Sequence, residues 1–149
     1  MKVIRGLSIL VLFLGVVAVV LGGVFIAQGI GKENLLVTSM QQEKIELEGV
    51  EGIIDTAEEA QIAGDTIREH RHGIAPTYGD LLGEGRFNPA EPMQLTYAQA
   101  LNLENYLYLA VLGFGVTQVV LASGAFMVVT GLALAGTGVA LHRLTRRLP

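Results

Sequence analysis

Two uninterrupted apolar runs flank a polar middle in this chain. Residues 6–30 and 106–141 contain no Asp, Glu, Lys, Arg or His. A helix needs ~20 apolar residues to cross a bilayer, so each run predicts a transmembrane helix. At about 1.5 Å per residue the first reaches roughly 37 Å and the second roughly 54 Å, against a hydrocarbon core of ~30 Å. If the second run ends at the membrane surface near His142, its spanning part is about 118–141. Residues 106–117 would then be an apolar helix standing outside the bilayer. Something must cover it, either this chain's own ectodomain or another subunit.

Small residues recur with a period of seven in both runs. Ser8, Gly15, Gly22 and Gly29 line one stripe of the first, and Ala110, Thr117, Gly124, Gly131 and Gly138 one stripe of the second. Such a stripe lets two backbones approach closely, which is how helices gain packing energy where lipid supplies no hydrophobic drive. We therefore expect the runs to pack as an antiparallel hairpin. Contacting positions then share a constant index sum, which is 146 for Gly15 with Gly131 and for Gly22 with Gly124. The same register sets Ser8 opposite Gly138, Gly29 opposite Thr117, and Gln28 level with Gln118.

Between the runs the pattern shortens. Leu35, Leu36 and Val37 continue the first helix or run extended beside the second. Residues 43–48 alternate charge with Ile45 and Leu47, a strand-like signal broken by Gly49 and Gly52. A helix start follows, with Asp55 or Thr56 as N-cap and Glu58 or Glu59 as its capping-box partner. Ile53, Ala57, Ala60, Gly64 and Ile67 recur at helical spacing, and Gly73 is the expected stop. Residues 74–92 read as a loop anchored by Tyr78, Leu81, Leu82 and Phe87, after which a helix resumes and runs unbroken into the second apolar run.

Charge orients the hairpin. Lys2 and Arg5 precede the first run, and His142, Arg143, Arg146 and Arg147 follow the second, while residues 31–105 hold all 14 acidic residues and only five basic ones. The positive-inside bias then puts residues 1–5 and 142–149 in the cytoplasm and 31–105 outside. The fold class expected is an all-α membrane protein: a transmembrane hairpin carrying a small, mainly helical extracytoplasmic domain, in a bacterial plasma membrane. The alternative is a signal peptide cleaved near Ala27-Gln28-Gly29, which would leave a single-pass chain with its N-terminus outside. Against it, residues 7–26 are longer than the ~7–15 of a signal's apolar region. Cysteine is absent, which removes disulfides, thiolate metal sites and lipid-bearing thiols. The outward segment is strongly acidic on balance, which does not suit nucleic acid.

Candidate chemistry is sparse. Glu69-His70-Arg71-His72 is the one metal-like cluster, but histidines at i and i+2 of a helix point about 200° apart. They read as ordinary polar residues at a helix C-terminus, where cationic side chains suit the dipole. The glycine-rich stretch 79–85 lacks the lysine of a phosphate-binding loop. The carboxylates read as a solvated face. Gln28 and Gln118 are the notable polar residues of the apolar runs; they line a path or bind a ligand, or they sit at the outer boundary and bond each other or water. No catalytic, cofactor or metal residue is assigned.

Together, the basic start and first span, Lys44-Ile45, Ile67 with His70, Thr77-Tyr78-Gly79-Asp80-Leu81, and Phe114-Gly115-Val116 followed by Gly124 and Gly131 resemble a group of two-pass bacterial membrane proteins. These often carry the label "aromatic ring-opening dioxygenase". The resemblance implies topology and no assigned activity, because non-haem iron oxygenases use two histidines and a carboxylate on a rigid scaffold, whereas here only His70 and His72 lie outside. The expected role is a structural or accessory subunit, docked on another membrane protein or on itself through the emergent part of the second helix. A small ligand-binding or sensing module, with its ligand between residues 53–72 and 74–92, is the alternative.

Overall fold

The structure is a computed structural model that describes residues 2–47 and 50–147, excluding the side chains of Lys2 and Arg147. It is all-helical among those residues, in the order α1 (Lys2–Glu43), α2 (Ala57–Ile74), α3 (Tyr78–Leu82) and α4 (Pro92–Arg147). Helices α1 and α4 run for 42 and 56 residues, about 63 and 84 Å, and both are long and apolar enough to cross a membrane. The chain divides into two compact units, one of residues 1–32 and 116–149, the other of residues 33–115.

The first unit consists of the α1 residues up to Lys32 and the α4 residues from Val116 on. It contains the whole first apolar run and residues 116–141 of the second, and its large side chains face outward: Phe13, Val20, Phe126 and Val129 are each at least 60% exposed. What it buries is small. Ser8, Gly15, Gly22 and Gly29 on α1 and Thr117, Gly124, Gly131 and Gly138 on α4 are all buried. A pair of helices with apolar exteriors and a glycine interior is inverted relative to a water-soluble hairpin, and it is how helices meet in lipid.

The second unit is built the ordinary way, with large apolar side chains inside. Met40 from α1, Ile54 from the connection, Ala60 and Ala63 from α2, and Leu107, Ala110 and Phe114 from α4 form its core, flanked by Leu36, Ile45, Leu47, Ile67 and Leu103. Residues 107, 110 and 114 belong to the apolar stretch expected to stand outside a bilayer, so this unit's own core covers one face of it. The opposite face stays open, with Leu109 and Leu112 65% and 62% exposed.

Local chemistry explains where the short elements begin and end. Thr56 is the N-cap of α2, its hydroxyl accepting from the Glu59 N–H while the Glu59 carboxylate accepts from the Thr56 N–H, a complete capping box. Helix α2 runs one residue past Gly73 and stops at Ala75, whose N–H donates to the Arg71 carbonyl. The segment read as loop contains the one-turn α3, capped by Thr77 and closed by Gly83 at φ 55°. Beyond it, Asn88 Oδ1 accepts from the Ala90 N–H and Gln94 Oε1 accepts from the Asn88 N–H, tying the chain to the start of α4.

The strand-like reading of 43–48 is corrected. Glu43 is the last residue of α1, and Lys44 turns the chain in the left-handed region at φ 50°. Ile45 and Leu47 pack on the core in irregular backbone that pairs once, through the Ile54 N–H to the Ile45 carbonyl at 3.0 Å. Burial of alternate side chains produced the period of two, without a ladder. Glu48 and Gly49 lie outside the described residues.

Candidate functional site

Two clusters stand out, one in each unit. In the first the backbone itself is the contact. A Cβ added at Gly22 would lie 2.6 Å from the Gly124 carbonyl oxygen, and one at Gly124 would lie 2.8 Å from the Gly22 carbonyl oxygen. Gly15 and Gly131 face each other in the same way, each Cβ position 2.7 Å from the other's carbonyl oxygen. Each glycine also meets a second residue one turn along: Ala135 for Gly15, Val128 for Gly22, Ile26 for Gly124 and Val19 for Gly131. No side chain larger than hydrogen fits these four positions without moving backbone.

Towards the ends of this seam the glycine-to-glycine contact drops out and the contact one turn along persists. Gly29 meets Leu121 and Val120, and Gly138 meets the backbone of Leu12. The Ser8 hydroxyl turns back to its own helix, donating to the Arg5 carbonyl at 2.9 Å. Gln28 and Gln118 are exposed, and among the described residues no hydrogen bond joins them.

The second cluster is polar and buried. Arg71, near the end of α2, is 8% exposed and Glu104, on α4, is 6% exposed. The guanidinium grips the carboxylate with two N–H groups, Nε to Oε2 at 2.6 Å and Nη2 to Oε1 at 3.3 Å, and donates through Nη1 to the hydroxyl of the fully buried Tyr97. The same guanidinium carbon lies 4.9 Å from the Tyr97 ring centroid, and Tyr78 of α3 tilts against that ring at 6.1 Å. Hydrogen bonding to Glu104 holds the Arg71 pKa above its ordinary value, against the opposing effect of burial. The charge is therefore permanent, and its partners fix how α2, α3 and α4 meet.

Beside it runs a more exposed set. The Tyr108 hydroxyl donates to Asp65 at 2.7 Å, Gln61 and Arg68 donate to the same carboxylate, and the Tyr108 ring covers Gly64. Burial, then the hydrogen bond to Asp65, push the Tyr108 phenol up to about 12, and that bond is the main cause of the lowered Asp65 pKa. Ile62, Asp65, Thr66, Arg68, Glu69 and His72 line a shallow depression of about 600 Å³ along α2.

His70 and His72 are both exposed on the last turns of α2, and His72 Nε2 lies 3.2 Å from Arg71 Nη2. Among the described residues no three His, Asp or Glu side chains gather as a metal would require. Residue types alone missed the Arg71–Glu104 pair. Arg71 reads as a helix-terminal cation and Glu104 as one carboxylate among 14. The available signal was position: Tyr97, Glu104, Tyr108 and Val111 share one face of α4, so Glu104 sits where a core side chain belongs. No protein-family model, curated protein or solved structure matches the chain.

Proposed function

We propose that this chain is a two-pass membrane protein whose helical hairpin anchors a small extracytoplasmic domain, and that it serves as a structural or accessory subunit. The supporting observation is the inversion between its units: apolar exteriors around a glycine seam in residues 1–32 and 116–149, a conventional core in 33–115. Basic residues at both chain ends and an acidic middle favour cytoplasmic termini. The accessory role draws on the open face of α4, where Leu109 and Leu112 remain exposed beside a core already filled by this chain.

Two measurements on the full chain test this. Single cysteines at Glu84 and at Thr145 are labelled with a membrane-impermeant maleimide in intact cells. Labelling at position 84 alone is expected, and labelling at 145 without permeabilisation contradicts the topology. A photoreactive residue at Leu112 should form one discrete protein adduct that is absent when the same residue replaces Glu84. Adducts with lipid alone would remove the accessory role.

A further inference from the structure

The end of α4 carries a depression unconnected with the glycine seam. It has a volume of about 420 Å³ and is lined by Gly136, Val139, Ala140, Arg143 and Leu144. Gly138, two residues from Gly136, is buried against Leu12, whereas a Cβ at Gly136 would meet nothing within 4 Å. Gly136, Ala140 and Arg143 follow at steps of four and three, so they share the face of α4 turned away from that contact. The missing side chain at 136 and the methyl at 140 make a low floor, Val139 and Leu144 make apolar walls, and an exposed guanidinium closes the end nearest the membrane surface.

We propose that this depression binds one anionic phospholipid, its headgroup phosphate on Arg143 and the start of an acyl chain over Gly136 and Ala140. The inference rests on α4 being a membrane span. The ligand class follows from the join of the two chemistries. An apolar floor inside the bilayer takes a chain, and a guanidinium at the boundary takes phosphate through paired N–H groups. Arg146 adds positive charge one turn further out, and Arg5 adds it at the same end of α1, which favours an acidic headgroup over a zwitterionic one.

The chain has no tryptophan, so one introduced residue reports alone. Leu132→Trp, 59% exposed and one turn deeper on α4 than Gly136, is reconstituted in vesicles containing acyl-brominated phosphatidylglycerol or phosphatidylcholine at equal mole fraction. Quenching should show a preference of about fivefold for phosphatidylglycerol, the scale of one arginine near an anionic surface. Arg143→Gln and, separately, Gly136→Leu should each abolish it, while Phe126→Trp, away from the depression, should be quenched equally by both lipids. Equal quenching of Leu132→Trp by the two lipids, or a preference that survives Arg143→Gln, would overturn the site. Absence of quenching at Phe126→Trp by either lipid would overturn the membrane span itself.

Discussion

The two units bury opposite things. Residues 1–32 and 116–149 put glycine inside and Phe13, Val20, Phe126 and Val129 outside, whereas residues 33–115 put Met40, Ile54, Leu107 and Phe114 inside. In water the second arrangement gains about 25 cal/mol for each Å² of apolar surface removed. In lipid that gain vanishes, and what remains is the dispersion energy of two backbones brought close, which only glycine permits. The same two helices supply both solutions. The change from one to the other follows the side chain at the inward position, Gly29 to Met40 on α1 and Phe114 to Thr117 on α4.

The polar content sharpens the contrast. The second unit buries an ion pair that would be costly in hydrocarbon, and surrounds it with the Tyr97 hydroxyl. Glu104→Leu should therefore have the largest effect, about 3–5 kcal/mol lost, because it strands the Arg71 charge in the core. Hydrogen exchange on the full chain should show lost protection in α2 with protection of residues 7–30 unchanged. Adding Arg71→Met should restore most of it, since an apolar pair of similar volume is often as stable as a buried salt bridge. A double variant no better than the single one would mean that the pair holds the unit in a way its charges do not explain.

In the first unit, Gly22→Leu or Gly124→Leu should cost on the order of 1–3 kcal/mol by forcing backbones apart. Gly23→Leu, at a position with nothing within 4 Å, should cost little. Denaturation in micelles by sodium dodecyl sulfate ranks the three. Equal losses would erase the distinction between seam and surface.

Acid and alkali should act on the second unit. The fold lowers the Asp65 pKa below 3.8 and the Glu59 pKa below 4.5, so their ionised forms stabilise it above those values. That contribution is lost as pH falls through the lowered folded values. Tyr108 runs the other way. Its pKa rises from 10.0 to about 12, so its neutral form stabilises the fold below pH 10, and the benefit is lost as pH climbs towards 12. Thermal unfolding followed by circular dichroism should show the alkaline loss, and Tyr108→Phe should remove it.

The smallest effect expected is a gain. Lys44 holds a φ of 50° where α1 ends, and Lys44→Gly should stabilise the second unit by about 0.5–1 kcal/mol, read as a higher melting temperature.

Legibility followed the range of the forces involved. The all-helical class and the two long apolar helices were visible because each run is a local property of composition, and the α2 start because Thr56 and Glu59 sit three apart. Ile45 and Leu47 misled because alternation reports burial, whichever backbone produces it. The Arg71–Glu104 pair joins residues 33 positions apart, so no local window contains it. The spacing of glycines is visible in the sequence, whereas the atoms they meet are not: Gly29 finds Leu121 where a strict register names Thr117. The offset of one turn is the same along the whole seam, Gly15 with Ala135, Gly22 with Val128 and Gly29 with Leu121.

We propose that α1 and α4 of one chain form a glycine-seamed hairpin within the bilayer. Val19 and Val128 flank the seam without belonging to its four closest positions, Val19 against Gly131 and Val128 against Gly22. With no native cysteine in the chain, Val19→Cys combined with Val128→Cys can be joined in native membranes by a short bis-maleimide. The account predicts an internal crosslink, seen as a monomer whose cleavage between residues 80 and 90 leaves the two halves joined. Crosslinks that form only between chains would contradict it and make the glycine stripes an interface between copies.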